Sequence, residues 1–306
     1  MFVRLTSLFF FPDSIEEARK IFTKEIGPIV KKQSGNVSFM FLEPTNTSDD
    51  FIALTSWDSI VDAHQYETSG LYKELLEKAE KQNRVLMVEL THRYYPAVQG
   101  AKAFIESGQL GEIYAIEDRV VEAVNGQILP WMKSKAQAGG GVALTNGVHM
   151  LDRVSFLTGQ SLKFEHGRVG FRAGLGDVED TAALFLSLED NTPVQILAAW
   201  PYGVSAPDDE LTIYGSNGTL RVWAWRGWRF EPVSGVEQPL EIASYEATAD
   251  IEMRIYAGVN NALGDFVDTV KSHRTFHSTA IGAIASQELI EQFYEYVGVE
   301  SLVERV

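Results

Sequence analysis

The amino-acid sequence predicts an α+β protein of two domains, a small one at residues 1–90 and a larger one at residues 91–306. The chain has 306 residues, which is enough for two hydrophobic cores and long for a single domain. Hydrophobic residues make up 45% of the chain and charged residues 22%, a balance typical of globular proteins. Helix and strand patterns alternate in the first ninety residues, whereas closely spaced strands dominate residues 163–225. The two parts therefore belong to different architectures.

The first domain follows the element order β-α-β-β-α-β, which is the ferredoxin-like arrangement of a small α+β barrel. Ser14 and Glu17 form a capping-box pattern at the start of its first helix, and the Gly27-Pro28 pair predicts a kink or a restart of that helix. Apolar alternation in NVSFMFLE and FIALTSW predicts a hairpin. The predicted strands cover residues 2–11, 36–43, 51–57 and 84–90, and the predicted helices cover residues 15–32 and 59–82.

The second domain begins with a helix at residues 97–111, which glycines end, and a strand at residues 114–123. Gly139–Gly141 come directly before another helix, at residues 142–159. Five closely spaced strand patterns with polar turns then predict antiparallel pairing. We therefore expect an α/β domain whose large open, mainly antiparallel sheet is covered by helices. Two of these helices close the chain, at residues 254–273 and 279–297.

Charge and cysteine content exclude several classes of function. The net charge is −16, and both nucleic acids and anionic membranes need a basic surface, so neither is a predicted partner. The chain has no cysteine, which excludes disulfides and thiolate metal ligands, and its six histidines lack metal-ligand spacing, so no metal is predicted. Arg4 interrupts the apolar N-terminal run, and no later run reaches the length of a membrane span. We expect a cytoplasmic protein.

Five stretches resemble the C-terminal part of the glucose–fructose oxidoreductase/inositol dehydrogenase (Gfo/Idh/MocA) family, in that family's order and spacing. They are VLMVELTHRYYPAVQGAKAFIESGQLGEIYAIE, GGGVALTNGVHMLDRVSFLTG, VEDTAALFLSLEDNTPVQILAAW, ELTIYGSNGTLRV and ALGDFVDTVKSH. Members of the family pair this substrate domain with an N-terminal Rossmann domain. The resemblance implies an α/β substrate domain whose dinucleotide-binding half is missing.

Residues 1–90 resemble the antibiotic biosynthesis monooxygenase family of dimeric α+β barrels, through their element order and the stretch FIALTSWDSIVDAHQYETSGLYKELLEKA. Trp57 and His64 stand where that family often has a Trp and a His. The resemblance implies a barrel that binds a phenolic or quinol substrate, with these two residues as substrate contacts. The alternative is that Trp57 and His64 only determine the fold.

The sequence argues against the nicotinamide cofactor of the oxidoreductase family. Its members hold that cofactor on a glycine-rich turn between a strand and a helix, where backbone amides approach the pyrophosphate. The first ninety residues contain only Gly27, Gly35 and Gly70, which form no G-x-G-x-x-G pattern. The run Gly139–Gly141 matches a triple glycine of the family's substrate domain. We therefore predict that this chain binds no cofactor.

The family's acid/base pair lies in an Asp-x-x-x-His arrangement, whose two side chains share one face of a helix. In this chain the His matches His149, Thr145 occupies the Asp position, and Asn146 follows it as a candidate substrate contact. As a catalytic candidate, Thr145 can orient a hydroxyl group but cannot take a proton at neutral pH. The proton relay is therefore reduced to His149, whose imidazole titrates near physiological pH. His149 is either the acid/base of the site or a packing residue at a helix start, and the sequence leaves both open.

Further substrate-binding candidates come from the same resemblance. Arg93 matches a loop near the family's substrate entrance, and its alternative role is a salt bridge at the domain junction. Asp152 matches the Asp of an H-x-x-D pattern, with a structural hydrogen bond as the alternative. Trp131 and Lys133 precede the triple glycine, where family members often place residues that contact the substrate.

Three functions fit these features. The first is a nicotinamide-independent enzyme of small-molecule metabolism, of lyase, isomerase or cyclase type, with His149 as acid/base and the substrate between the barrel and the open sheet. The second is a cofactor-free monooxygenase that acts on an aromatic or quinol substrate in the barrel, and the third is a non-catalytic binding or scaffold protein. A sugar-like or polycyclic aromatic ligand is expected.

Trp223 and Trp225 alternate on one strand and predict an aromatic sheet face for a ligand or a subunit contact. We expect a homodimer or larger homo-oligomer.

Overall fold

The computed structural model describes residues 2–8, 15–43, 51–58, 62, 88, 90–123, 128, 130–202, 208–235, 251–272 and 280–298. The chain divides into two compact units, one within residues 1–78 and the other within residues 79–301. Among the described residues, no helix combines the length and the apolar character that a bilayer crossing requires.

In the part of the first unit that the structure describes, three antiparallel strands form a sheet in the order β1-β3-β2, with β3 in the centre. This order and the helical connection after β1 agree with the predicted ferredoxin-like arrangement. The elements are β1 (Phe2–Leu8), α1 (Ile15–Ile21), a π-helical turn (Phe22–Ile26), α2 (Gly27–Val30), β2 (Asn36–Leu42) and β3 (Phe51–Trp57).

The helical connection restarts at Gly27-Pro28, which is one of the two predicted outcomes, since α2 begins at Gly27. The chain widens into the π-helical turn directly before them, and the N–H of Gly27 donates to the carbonyl of Phe22. Pro28 then occupies the first turn of α2, where a residue without an N–H leaves no helical hydrogen bond unmade. The wider turn therefore accommodates the proline within one helical segment.

Trp57 is the largest side chain in the described core of the first unit, with 1% of its surface exposed. It packs with Val30 and Phe39, and its indole Nε1 donates to Thr55 Oγ1 at 3.0 Å. Apart from isolated positions, the predicted helix at residues 59–82 and strand at residues 84–90 lie outside the described residues, and His64 lies there with them.

The second unit combines a large sheet with helices that pack on one of its faces. In its described part, the strands are β4 (Ile113–Val121), β5 (Leu162–Gly170), β6 (Thr181–Leu188), β7 (Pro193–Ala199), β8 (Asp208–Gly215), β9 (Gly218–Trp223) and β10 (Gly227–Pro232). The helices are α3 (Pro96–Glu106), α4 (Lys135–Ala138), α5 (Val148–Thr158), α6 (Ile251–Ser272) and α7 (Ala280–Val297). Shorter turns are 3₁₀-helical at Thr91–Tyr94 and Pro130–Lys133, and π-helical at Ala143–Gly147.

The sheet order is β10-β9-β8-β4-β7-β6-β5, and every neighbouring pair is antiparallel except β4 and β7. The prediction of a large, mainly antiparallel sheet is therefore confirmed, although the sheet is mixed. Four of these pairs join strands that follow each other in the sequence: β5–β6, β6–β7, β8–β9 and β9–β10. In contrast, helical segments separate β4 from all of them, so tertiary packing inserts it between β7 and β8.

Side chains on the strands alternate between a buried face and an open face. Leu184, Ile196 and Leu211 on the buried face belong to the same core as Leu151 of α5 and Ile290 of α7. One face of the sheet is thus covered by helices, as the sequence predicts, and the core of the unit lies between the two layers.

A charged network lies within this core. Arg153 of α5 is 1% exposed, and its Nη1 donates to Asp209 of β8 at 2.7 Å. Its Nε donates to Asp118 of β4 at 2.8 Å, and a second N–H pairs with the same carboxylate. The network attaches α5, which carries the candidate site at its start, to two neighbouring strands.

Candidate functional site

The start of α5 carries the candidate site, and buried Glu179 holds the chain that leads into it. Its carboxylate accepts hydrogen bonds from the backbone N–H groups of Gly141 and Ala143 and from the hydroxyl of Tyr294, all between 2.8 and 3.0 Å. A Cβ atom at Gly141 would overlap the backbone oxygen of Glu179. This close approach explains why residue 141 is a glycine, and the explanation involves no phosphate ligand.

The π-helical turn Ala143–Gly147 leads directly into α5, and the N–H of Val148 donates to the carbonyl of Ala143. Such turns are rare and are often found at functional sites. Thr145 is exposed here, whereas Asn146 and His149 are half-buried. The sequence predicts one shared face for Thr145 and His149, but the wider turn places the two side chains in different environments and directs Asn146 toward the sheet.

The imidazole of His149 stacks on that of His92, with ring centroids 5.0 Å apart and 22° between the ring planes. The Nδ1 atoms of both rings are buried without a hydrogen-bond partner among the described residues. Burial, and then the guanidinium of Arg153, lowers the pKa of His149 to about 4. Burial, and then the charges of His149 and Arg153, lowers the pKa of His92 well below its ordinary value. Both rings are therefore neutral at pH 7.

Arg93 and Asp152 hold this pair of histidines in place. The Nε of Arg93 donates to Asp152 Oδ2 at 2.7 Å, and a second N–H pairs with Oδ1. Only 11% of the Arg93 side chain and 1% of the Asp152 side chain are exposed. The pair joins the turn that carries His92 to the helix that carries His149, within the second unit. This geometry supports the structural alternatives for Arg93 and Asp152 over substrate contacts.

A carboxylic acid from another element meets the π-helical turn. The side-chain amide of Asn146 donates to Glu122 Oε2 at 3.2 Å, while its Oδ1 is buried without a partner in the described part of the chain. Glu122 directly follows β4, and Trp200, which directly follows β7, hydrogen-bonds the same carboxyl group. Burial raises the pKa of Glu122, and the negative charge of Asp209 adds to this effect.

His92 and Glu122 are functional candidates that the sequence analysis missed. His92 lies in the stretch LTHRYYP beside the chosen Arg93, and nothing in its spacing links it to His149. Glu122 follows an ordinary strand, and a single glutamate there carries no motif. A search for polar residues at the carboxyl end of a strand that pairs in parallel would have found it, but the sequence did not predict the parallel pair.

The remaining candidates of the second unit lie ahead of the glycine run. Trp131 and Lys133 lie on the 3₁₀ turn Pro130–Lys133, where Trp131 is 50% exposed and Lys133 is half-buried. The carbonyl of Lys133 accepts the backbone N–H of Asp177 at 3.3 Å. The turn is therefore attached to the loop before Glu179, and the Trp131 ring remains accessible to a ligand.

The tryptophans of β9 and its turn do not form the predicted aromatic face. Trp223 lies on the open face, where its Nε1 donates to Glu210 at 3.2 Å and the guanidinium of Arg229 lies 5.8 Å from its ring. Trp225 lies in the turn after β9 and packs against the core, and Trp228 is buried. The strand ends at Trp223, so the period-2 alternation does not extend to Trp225.

The described residues fit neither a metal centre nor a nicotinamide dinucleotide. Among them, no group of three or more His, Asp or Glu side chains could hold a metal ion. A dinucleotide needs parallel strands and a glycine-rich turn after the first of them. The described strands of the first unit pair antiparallel, and β1 is followed in sequence by FFFPDS, which has no glycine.

Two family models match the chain. Residues 98–221 match the GFO/IDH/MocA C-terminal domain, and residues 1–89 match the antibiotic biosynthesis monooxygenase family. The polypeptide is therefore a fusion of a Gfo/Idh/MocA C-terminal domain with an N-terminal antibiotic biosynthesis monooxygenase domain.

One similar curated protein is named as a UDP-kanosamine synthase oxidoreductase subunit and comes from Amycolatopsis mediterranei. The two chains are 27% identical over 169 residues, which are 48% of this chain and 46% of the relative. This chain thus matches slightly less than half the length of that relative.

Solved structures of oxidoreductases share the fold. An oxidoreductase from Agrobacterium radiobacter, in complex with NAD⁺, L-tartaric acid and magnesium, has a TM-score of 0.64 at 19% identity, and the match covers 79% of this chain and 68% of that one. Levoglucosan dehydrogenase, in complex with NADH and levoglucosan, has a TM-score of 0.62 at 17% identity, with 75% and 68% covered. At these identities the likeness concerns the fold alone.

Proposed function

We propose that the chain is a nicotinamide-independent enzyme that moves a proton on a sugar-like small molecule, in a reaction of lyase, isomerase or cyclase type, with His149 as the base. The observation that carries the proposal is the buried, neutral imidazole of His149, stacked on His92 at the start of α5. Only a neutral imidazole can accept a proton, and with a pKa of about 4 this one is neutral at pH 7, although it is a weaker base than an ordinary imidazole.

The surroundings of His149 support a polar ligand. Asn146 and His149 are half-buried, so each keeps some accessible surface, yet each also has a buried polar atom without a partner among the described residues. The unpartnered atoms themselves are buried, so a ligand would bind at the accessible surface of these two side chains, where an amide and an imidazole can form hydrogen bonds with hydroxyl groups. A polyhydroxylated molecule supplies such groups.

The names of two similar proteins support a sugar as the substrate class. One is a UDP-kanosamine synthase subunit, and the other is a levoglucosan dehydrogenase. A C–H bond next to the carbonyl group of a keto sugar is acidic enough for an imidazole base, and its removal needs no oxidant. Free and UDP-linked ketohexoses are therefore the first probes.

Deuterium exchange tests the proposal. The wild-type protein, incubated in D₂O with each ketohexose and no nicotinamide, should replace the hydrogen next to the carbonyl with deuterium, as followed by proton NMR. The His149→Ala variant should exchange roughly 10²–10⁴-fold more slowly while its melting temperature shows a folded protein. Equal rates for the two proteins, or no exchange by the wild type, would contradict the proposal and favour a non-catalytic binding or scaffold protein.

The family match of residues 1–89 favours a second candidate, a cofactor-free monooxygenase that acts on an aromatic or quinol substrate. Trp57 is buried in the core of the first unit, so its described contacts support a role in folding more than in binding. Oxygen uptake with dihydroxynaphthalene, without flavin or metal, tests this candidate. Uptake that is lost in the His64→Ala variant would support it, and no uptake above the protein-free rate would contradict it.

A further inference from the structure

We propose that Glu122 is the general acid of the site and supplies, from strand β4, the carboxyl group that position 145 no longer provides. The inference rests on the proposed function, in which His149 is the base. Thr145 stands where the resemblance places an aspartate, and its side chain is exposed. The next residue, Asn146, instead turns inward and donates to Glu122 Oε2 at 3.2 Å. The carboxyl group near the start of α5 therefore comes from a different element, the end of β4.

The position of Glu122 is typical of a ligand site. The parallel pair β4–β7 ends with Val121 opposite Ala199, and the N–H of Glu122 continues that pair by donating to the carbonyl of Ala199 at 3.0 Å. In sheets with parallel strands, ligands bind outside the carboxyl ends of those strands. Glu122 and Trp200 directly follow these two ends, and the π-helical turn contacts β7 and reaches Glu122 through the side chain of Asn146.

The segment that contacts Glu122 also carries His149. Asn146 lies on the π-helical turn, and His149 lies in the first turn of α5, which follows it directly. The amide oxygen of Asn146 and Nδ1 of His149 are both buried without partners among the described residues. The base and an unsatisfied amide therefore lie at the start of α5, and the amide links this segment to the half-buried carboxyl group of Glu122.

The surroundings of Glu122 raise its pKa, which is the direction of change that suits an acid catalyst. Burial is the largest effect and raises its pKa, and Asp209 of β8 raises it too. The hydrogen bonds from Asn146 and Trp200 act in the opposite direction, because they stabilise the carboxylate. These are the groups that face Glu122 from the neighbouring helix start and strands, and their balance leaves the pKa above its ordinary value.

An acid and a base together can remove water from a keto sugar. His149 takes the proton next to the carbonyl, the electrons of that C–H bond form a carbon–carbon double bond, and the hydroxyl group on the next carbon leaves. Glu122 gives its proton to that hydroxyl, so the products are an unsaturated keto sugar and water. His149 then carries the extra proton and Glu122 is ionised, and a proton transfer through solvent restores both. The reaction needs no oxidant or reductant.

The first test needs no substrate. Carbon NMR of the protein labelled in its glutamate carboxyl groups gives the protonation midpoint of Glu122, which the Glu122→Gln variant assigns. The matched control variant is Glu117→Gln, five residues earlier on β4, at a side chain that lies on the open face and accepts a hydrogen bond from Tyr214 at 2.9 Å; it should leave the Glu122 midpoint in place. We expect Glu122 to titrate above the ordinary glutamate value of about 4.3, and Asn146→Ala to raise the Glu122 midpoint further. A Glu122 midpoint at or below that ordinary value would overturn the acid role.

The second test separates the acid from the base on the same ketohexose probes. Glu122→Gln should keep deuterium exchange within about tenfold of the wild type but slow water loss by roughly 10²–10⁴-fold. The Glu117→Gln variant should leave the rates of deuterium exchange and of water loss unchanged, and the His149→Ala variant should lose both activities. If the Glu122→Gln variant catalyses water loss from the probe as fast as the wild type does, the acid role of Glu122 fails and the proposed function stands. If the wild type exchanges no probe, the proposed function fails and the acid role fails with it.

Discussion

Replacing Arg153 with methionine should destabilise the second unit strongly. Arg153 is 1% exposed and pairs with Asp118 and Asp209, whose side chains are 0% and 4% exposed. Removing one partner of a buried ion pair typically costs about 3–5 kcal/mol, because a buried charge remains uncompensated, and here two carboxylates lose their partner. We therefore expect the free energy of unfolding at pH 7 to fall by at least about 3 kcal/mol in the Arg153→Met variant.

The loss should depend on pH in a defined direction. Burial raises the pKa of Asp118 in the folded protein, and Arg153 opposes this effect. Without Arg153 that pKa rises further, and a group with a raised folded-state pKa contributes stability at low pH that is lost as the pH rises through its folded pKa. The difference between the Arg153→Met variant and the wild type should therefore be largest at neutral pH and shrink as the pH falls.

Urea unfolding followed by tryptophan fluorescence measures this difference. Five of the six tryptophans belong to the second unit, namely Trp131, Trp200, Trp223, Trp225 and Trp228. Arg119→Met is the control, since its pair with Asp208 is 46% exposed on both sides and should contribute no more than about 1 kcal/mol. A loss below about 1 kcal/mol for Arg153→Met, or one that does not change with pH, would refute the reasoning.

Three further outcomes are expected. Gly141→Ala should lower the melting temperature, because its Cβ would overlap the backbone of Glu179. In the control Gly264→Ala on α6, the new Cβ meets nothing within 4 Å and should stabilise the protein by up to about 1 kcal/mol. Equal melting temperatures of the two variants would contradict this. Calorimetric titration with NAD⁺ and NADP⁺ should show no binding at micromolar concentrations, because the described first unit lacks a parallel β-α-β cradle. Light scattering should give a dimer or larger assembly, and a monomer at micromolar concentration would contradict the predicted association.

Much of the fold follows from local pattern. Apolar alternation predicts β6, β7 and the β8–β9 hairpin, because each has one buried and one open face and a short polar turn. The helix that carries His149 follows from its apolar spacing and from Gly159, which adopts a left-handed conformation at its end. The place of β4 between β7 and β8 does not follow, because no short turn connects β4 to either strand.

The candidate site is less predictable for the same reason. The sequence selected His149, Thr145 and Asn146 through one motif on one helix, but their environments depend on partners far along the chain. His92 contacts His149 next to the pair that Arg93 forms with Asp152, and Glu122 contacts Asn146 at the end of the parallel pair of β4 and β7. The π-helical turn, which exposes Thr145, has no pattern in the sequence that distinguishes it from an α-helix.

The protonation state of His149 is the most direct test of the account. Proton–nitrogen NMR of the imidazole rings, assigned with the His149→Gln variant, gives the midpoint at which this ring gains its second proton. Burial and the charge of Arg153 predict a midpoint of about 4, so the ring should be a neutral base throughout the neutral range. A midpoint near the ordinary value of about 6.5 or above would mean that the ring is solvated or paired with a negative charge, and it would contradict the buried, neutral base on which the proposed function depends.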